Sequence, residues 1–178
     1  QMFSGASVFN QHIGNWHTSN VTDMSQMFST ATAFNQDLSW NTGAVTNMSY
    51  MFSGASNFNG TISGFNTSQV TDMTFMFNEA SAFNKNISTW NTSNVTNMSY
   101  MFANNTGYNQ SLSSWDTSSV TNMQSMFSGA SSFDQNLGSW DVSQVSNFSD
   151  FAQGANISYT NYDAILDGWA SQNVQSGI

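Results

Sequence analysis

A large ring recurs at Trp16, Trp40, Phe65, Trp90, Trp115 and Trp140, at intervals of 24, 25, 25, 25 and 25 residues. Repetition at a fixed period constrains a fold strongly, because each copy is a unit that buries its apolar face only against its neighbours. A second series keeps step: Met2-Phe3, Met27-Phe28, Met51-Phe52, Met76-Phe77, Met101-Phe102 and Met126-Phe127, fading to Phe151-Ala152. The apolar positions therefore form fixed columns over residues 1 to about 155.

Two periodicities alternate within a unit. Val45, Met48, Met51, Phe52 and Ala55 follow steps of 3, 3, 1 and 3, which predicts one face of a short helix. Thr22, Thr46, Thr71, Thr96 and Thr121 are expected as its N-caps. Around Ile87, Trp90 and Thr92 an i, i+2 pair suits a short inward-facing strand. The expected fold class is α/β: a leucine-rich-repeat-like solenoid with one short strand and one short helix per repeat. The alternative is an all-β parallel solenoid, because short apolar runs do not separate turn from helix.

The domain reading is a repeat array over 1–155, its first unit truncated, and a C-terminal cap over 156–178. Tyr162, Ile165, Leu166 and Trp169 recur at i, i+3, i+4 and i+7, which predicts a capping helix around 161–170. Since the first unit opens in mid-repeat, the chain is expected to be a fragment of a longer array. Unit two has one residue between Leu38 and Trp40 where other units have two, so a local bulge or shortened turn is expected there.

Composition narrows function. Ser, Thr, Asn and Gln make up 84 of 178 residues, whereas only 6% are charged, so the surface is polar without being ionic. The net charge of -9, with a single Lys and no Arg, opposes nucleic acid and anionic lipid. No apolar run approaches a membrane span, so no membrane insertion is expected. The absence of Cys excludes disulfides and thiolate chemistry.

The segment WNTSNVTNMSYMF at 90–102, together with SGASSFDQN at 128–136, resembles the surface-protein repeat of BspA-type leucine-rich-repeat bacterial proteins. The resemblance covers residues 1 to about 155. It implies an extracellular or cell-surface protein, secreted or anchored, built for adhesion or interaction rather than chemistry.

Candidate sites follow from the columns. A Ser-His-carboxylate triad has only His12 and His17 to draw on, so no enzyme activity and no cofactor are expected. Tyr50, Phe75 and Tyr100 share one column, opposite the buried face of the predicted helix, and could stack on sugar rings or fill a partner's pocket; the structural alternative is packing on one another. Asn41, Asn66, Asn91, Asp116 and Asp141 share another, just after the large ring, on a polar face suited to glycan hydroxyls or peptide. Asp116 and Asp141 on adjacent units are a weak calcium candidate without a calcium-loop motif, and no other metal site is expected. Asn10, Asn35, Asn59, Asn84 and Asn109, continued by Asp134, suit an internal ladder that satisfies backbone groups.

Function is therefore expected to be a non-enzymatic, surface-exposed adhesion or interaction module binding a host or environmental glycan or an extracellular protein. The alternative is a structural spacer or self-associating array with no ligand of its own, joined end to end or laterally.

Overall fold

The computed structural model describes residues 1–172. Within it the repeats stack as rungs, and each rung is a coil of tight turns. In the rung that contains Val45, the N–H groups of Val45, Met51, Ser53, Ala55, Phe58 and Phe65 each donate to the carbonyl three residues back, at 2.9–3.2 Å. The N–H groups between them leave the rung. Those of Met48, Tyr50, Phe52 and Gly54 donate to the carbonyls of Asp72, Thr74, Met76 and Asn78 on the next rung, at 2.7–3.0 Å. Donors thus alternate between their own rung and its neighbour, so a continuous run of i to i−4 bonds cannot form.

The α/β architecture expected from the sequence is overturned. Among the described residues there is one helix, α1 (Tyr159–Ala170), and no sheet. The all-β alternative is not met either, because parallel pairing is confined to isolated bridges of Asp23 with Asn47, Asn47 with Asp72, and so on to Asn122 with Asn147. The 3, 3, 1, 3 spacing has a different cause: successive three-residue turns bring the chain back to the core at nearly a helix's interval. Tyr50 and Gly54 occupy the third positions of two such turns with φ of 57° and 70°, a left-handed conformation incompatible with an α-helix.

The threonines expected as N-caps do something else. Thr46, Thr71, Thr96 and Thr121 each turn both backbone N–H and Oγ1 onto the carbonyl of the equivalent Thr one rung back. The Asp or Asn that follows closes an Asx turn, as when Asn47 Oδ1 accepts the Ser49 N–H at 2.9 Å.

Burial follows the columns. Trp40, Phe65, Trp90, Trp115 and Trp140 are buried, as are the Met and Phe columns from Met48 to Phe127. Within a rung two Phe rings stack closely, for example Phe52 on Phe58 at 3.9 Å, while the same column across rungs runs at 5.5–5.7 Å. The indole N–H groups of Trp90, Trp115 and Trp140 donate to the carbonyls of Ile62, Ile87 and Leu112, so a buried polar atom ties each rung to the one before. Thr42, Thr67, Thr92 and Thr117 are buried and donate forward, Thr92 Oγ1 reaching the Asp116 carbonyl at 2.8 Å. The shortened unit lacks the Trp turn: Trp16, Phe65, Trp90, Trp115 and Trp140 each close a turn onto the aliphatic residue three back, and Trp40 stands only two residues from Leu38.

The helix expected around 161–170 spans Tyr159–Ala170 and lies against the last rung; the part of the expected cap beyond residue 172 falls outside the described residues. It buries Ile165 and half-buries Trp169, whereas Tyr162 and Leu166, expected on the same apolar face, are exposed. The contact needs glycine: a Cβ on Gly168 would collide with the Gly138 carbonyl. At this end Phe148 and Phe151 replace Met, and parallel stacking gives way to edge-on contacts, with Phe151 at 86° to Phe127 and 65° to Trp169. No helix among the described residues is long and apolar enough to cross a membrane.

Candidate functional site

Tyr50, Phe75 and Tyr100 do form one column, but not on a helix. Each sits at a left-handed turn position, φ 57–59°, and is half-buried. The rings stack face to face, Tyr50 on Phe75 at 4.6 Å and Phe75 on Tyr100 at 4.4 Å, with interplanar angles of 8° and 6°. The inner ring faces are spent on one another. Edges and the two hydroxyls remain for a partner.

Asn41, Asn66, Asn91, Asp116 and Asp141 are exposed in one column. Each side-chain oxygen accepts the N–H two residues on, at 2.9–3.1 Å, closing an Asx turn. The Ser118 hydroxyl and N–H hold the Asp116 carboxyl below the usual carboxylate range, and those of Ser143 do the same for Asp141. Asp116 pushes Asp141 the other way, as stacked carboxylates must, but the serine bonds dominate. Among the described residues no group of three or more His, Cys, Asp or Glu is arranged to hold a metal.

The Asn ladder is present, though at the surface rather than internal. The N–H groups of Asn35, Asn59, Asn84, Asn109 and Asp134 each bond the Oδ1 of the equivalent residue one rung back, at 2.8–3.1 Å. Asp134 ends the series, and its Oδ1 receives the Ser158 N–H and hydroxyl and the Asn161 amide. These donors, the Ser158 N–H first, lower its pKa. His12 and His17 are both exposed near the start of the stack.

The columns alone did not reveal where the surface becomes concave. A cleft of about 420 Å³ lies where the last full rungs meet α1, lined by Ser111, Ser113, Gln135, Asn136, Gly138, Ser139, Asn161 and Ala164. A second, of about 410 Å³, shares Ser139 and continues over Asp141, Ser143 and Gln172. A third, of about 280 Å³, is lined by Thr61, Ser63, Lys85, Asn86 and Thr89. Adding 50 to those numbers gives Ser111, Ser113, Gln135, Asn136 and Ser139, so the first and third clefts are one repeat feature two rungs apart. Both have the same frame: Asn86 and Asn136 accept the N–H two residues on, and Thr89 and Ser139 tie to the carbonyls of Ser63 and Ser113. The signal was available in the polar slots on either side of the Trp column, but a cleft also needs a wall, and near the end of the array that wall is α1.

Apart from Lys85 and Asp141 the lining is uncharged. Several amide and hydroxyl groups remain for a ligand: Gln135 uses its Nε2 on Asn109, and Asn161 its Nδ2 on Asp134, which leaves both amide oxygens available. Small neutral donors and acceptors in a shallow groove can exchange hydrogen bonds with a polyhydroxylated molecule at little desolvation cost.

No curated protein and no solved structure matches the chain. A family model does match, over residues 1–88 and again over 60–169, and with that coverage the chain belongs to the family described as "Mycoplasma protein of unknown function, DUF285".

Proposed function

We propose that the chain is a non-enzymatic binding module whose polar face, from the Thr61 cleft to the groove beside α1, takes a glycan. The observation that carries this reading is the recurrence of one cleft at equivalent positions two rungs apart, polar in its exposed surface beside α1 and more apolar at Lys85, as a sugar's hydroxyl edge and ring face require. A surface tuned only for solubility needs polar residues but no matched concavities. The rungs are tied by side-chain and backbone hydrogen bonds at every column, so the clefts are held rigid before a ligand arrives, which lowers the ordering cost of binding. The proposed setting is extracellular or cell-surface, supported by the resemblance of the repeat to bacterial surface-protein repeats.

The test is a glycan and extracellular-protein array probed with the wild-type chain, with Ser139→Trp, which fills the junction of two clefts, and with the Tyr50, Phe75 and Tyr100 to Ser triple variant. Glycan signal lost in S139W and kept in the triple variant is the expected result. The opposite pattern moves the site to the aromatic ladder, and silence across the array favours the structural spacer.

A further inference from the structure

The two equivalent clefts differ in one chemically decisive position. Where the cleft beside α1 has Gln135, the other has Lys85, the only Lys or Arg in the chain. Gln36, Gln110 and Gln135, in the same column, all turn Nε2 onto the Asn one rung back, Gln135 reaching Asn109 Oδ1 at 2.8 Å. Lys85 makes no such bond. Asn59 Oδ1, its equivalent partner, accepts the Asn84 N–H alone among the described residues, whereas Asn10, Asn84 and Asn109 accept the Gln amide as well as the backbone N–H. The ammonium is therefore not engaged in the ladder and belongs to the cleft it lines.

Its surroundings differ as well. The preceding member of the column is Gly60, buried so tightly that a Cβ would collide with the Gln36 carbonyl. The equivalent place beside the α1 cleft carries Gln110, so the lack of a side chain there is particular to the Lys85 cleft. Thr61, Ser63, Asn86 and Thr89 ring the cleft with hydroxyls and an amide. Asp37 lies close enough for Lys85 and His12 to help lower its pKa, after the larger effect of the Thr61 N–H, which it accepts at 2.6 Å.

Resting on the glycan reading above, we propose that the Lys85 cleft is a subsite for an acidic sugar, with Lys85 Nζ pairing a carboxylate and the surrounding hydroxyls taking the ring hydroxyls. Lys85 supplies a single positive charge and the nearby Asp37 opposes a second anionic charge, which suits a singly charged uronic acid better than a doubly charged phosphate ester. The neutral cleft lies about 10 Å along the stack, so one chain of mixed acidic and neutral sugars can span both.

The experiment is calorimetric titration of the chain with galactotriose and with the acidic trimer in which one galactose is replaced by galacturonic acid, equal in length and differing in one carboxylate. Wild type is expected to bind the acidic trimer about tenfold more tightly, with that advantage shrinking as salt is raised. Lys85→Gln installs the column's own residue, so it should fold with an unchanged melting temperature while its affinity for the acidic trimer falls to that for galactotriose. Asp37→Asn keeps the acceptor for the Thr61 N–H and removes the repelling charge, so it should tighten the acidic trimer by about threefold. Equal affinity of wild type and K85Q for the acidic trimer overturns the subsite. If galactotriose binds wild type as well as the acidic trimer does, this inference falls and the glycan reading stands; if neither sugar binds, both fall.

Discussion

Two segments carry nearly the same apolar spacing and fold differently. Val45, Met48, Met51, Phe52 and Ala55 lie in a coil of turns, whereas Tyr162, Ile165, Leu166 and Trp169 lie on α1. The difference is where the backbone donors go. In the rung, every second N–H is claimed by the neighbouring rung; in α1 the N–H groups are satisfied along the segment itself. Yet α1 meets some of the acceptors a rung would meet. Trp169 donates its indole N–H to Leu137 as Trp140 does to Leu112, and Ser158 donates to Asp134 as each ladder residue does to the one before. Ser158, at the helix N-cap, makes no side-chain cap bond and spends its hydroxyl on Asp134 instead. A rung end is thus a set of donor positions that two quite different backbones can supply.

The sharpest way to break this comparison is to remove the same ring from each side of it. Trp90→Ala, in a fully stacked rung, should cost about 3–5 kcal/mol in urea denaturation. Trp169→Ala, half-buried on the cap, should cost about half as much. Equal losses would mean that the cap is as integral as a rung, and a loss below about 1 kcal/mol at Trp90 would contradict its burial. Next in size is Gly168→Ala. Its methyl meets backbone at Gly138 and cannot be accommodated by a side-chain shift, so undocking of α1 should cost about 2 kcal/mol and expose Trp169 to fluorescence quenching.

These contrasts also show what was legible in the sequence. The period, the irregularity before Trp40, the buried Trp and Thr columns and the helix near residue 165 could all be read there, because each follows from side-chain identity at a fixed interval. The backbone path could not. A three-residue turn and an α-helix return to the core at nearly the same spacing, and what separates them is the left-handed φ at Gln26, Tyr50, Phe75, Tyr100, Ser125 and Asp150, a column without a single Gly. The other left-handed column, Gly5, Thr30, Gly54, Glu79, Asn104, Gly129 and Gly154, does contain a clue, as Gly in four of seven rungs, but a Gly at that spacing suits a helix end as well as a turn. Of the candidate site, the polar face was legible as residue types; the clefts depended on the backbone path and on the position of α1, neither of which spacing alone supplies.

The rung over 91–115 differs from its neighbours in a way that tests how strictly the columns hold. Asn105 replaces the column Ala and Tyr108 the column Phe; both are fully buried, and Asn105 Nδ2 and the Tyr108 hydroxyl have no hydrogen-bond partner. Burial pushes the Tyr108 hydroxyl's pKa well above its ordinary value. Tyr108→Phe should therefore stabilise the chain by about 1 kcal/mol. Asn105→Ala should gain less, because Asn105 Oδ1 accepts the N–H groups of Gly107 and Tyr108. A loss in Y108F would show that the hydroxyl is satisfied in solution. Smaller again is Glu79→Gly: at φ 57° a non-glycine residue is strained, and relief should outweigh the added chain entropy by about 0.5 kcal/mol.

The smallest effect separates the cap from the rungs by pH. Asp23, Asp116, Asp134 and Asp141 all have lowered pKa values in the folded chain, each chiefly through N–H or hydroxyl donors, with a lesser contribution from the N-terminal ammonium at Asp23. A lowered folded pKa contributes stability that is fully present above the unfolded value of about 3.9 and is lost as pH falls through the folded value. Melting temperature should thus be flat from neutral pH down to about pH 5 and decline below about pH 4. Asp23, Asp116 and Asp141 close turns within their rungs, whereas Asp134 joins α1 to the stack, so Asp134→Asn should blunt the acid-induced exposure of Trp169 while leaving most of the global decline. Asn keeps an acceptor for the Ser158 N–H, as in every other rung, and only the charge is removed. If D134N releases α1 at neutral pH, the cap needs the carboxylate's stronger acceptor and the ladder position cannot be filled by the residue that fills it elsewhere. If it does not, Asp134 is interchangeable with the Asn column, and the helix docks by the rung's own rule.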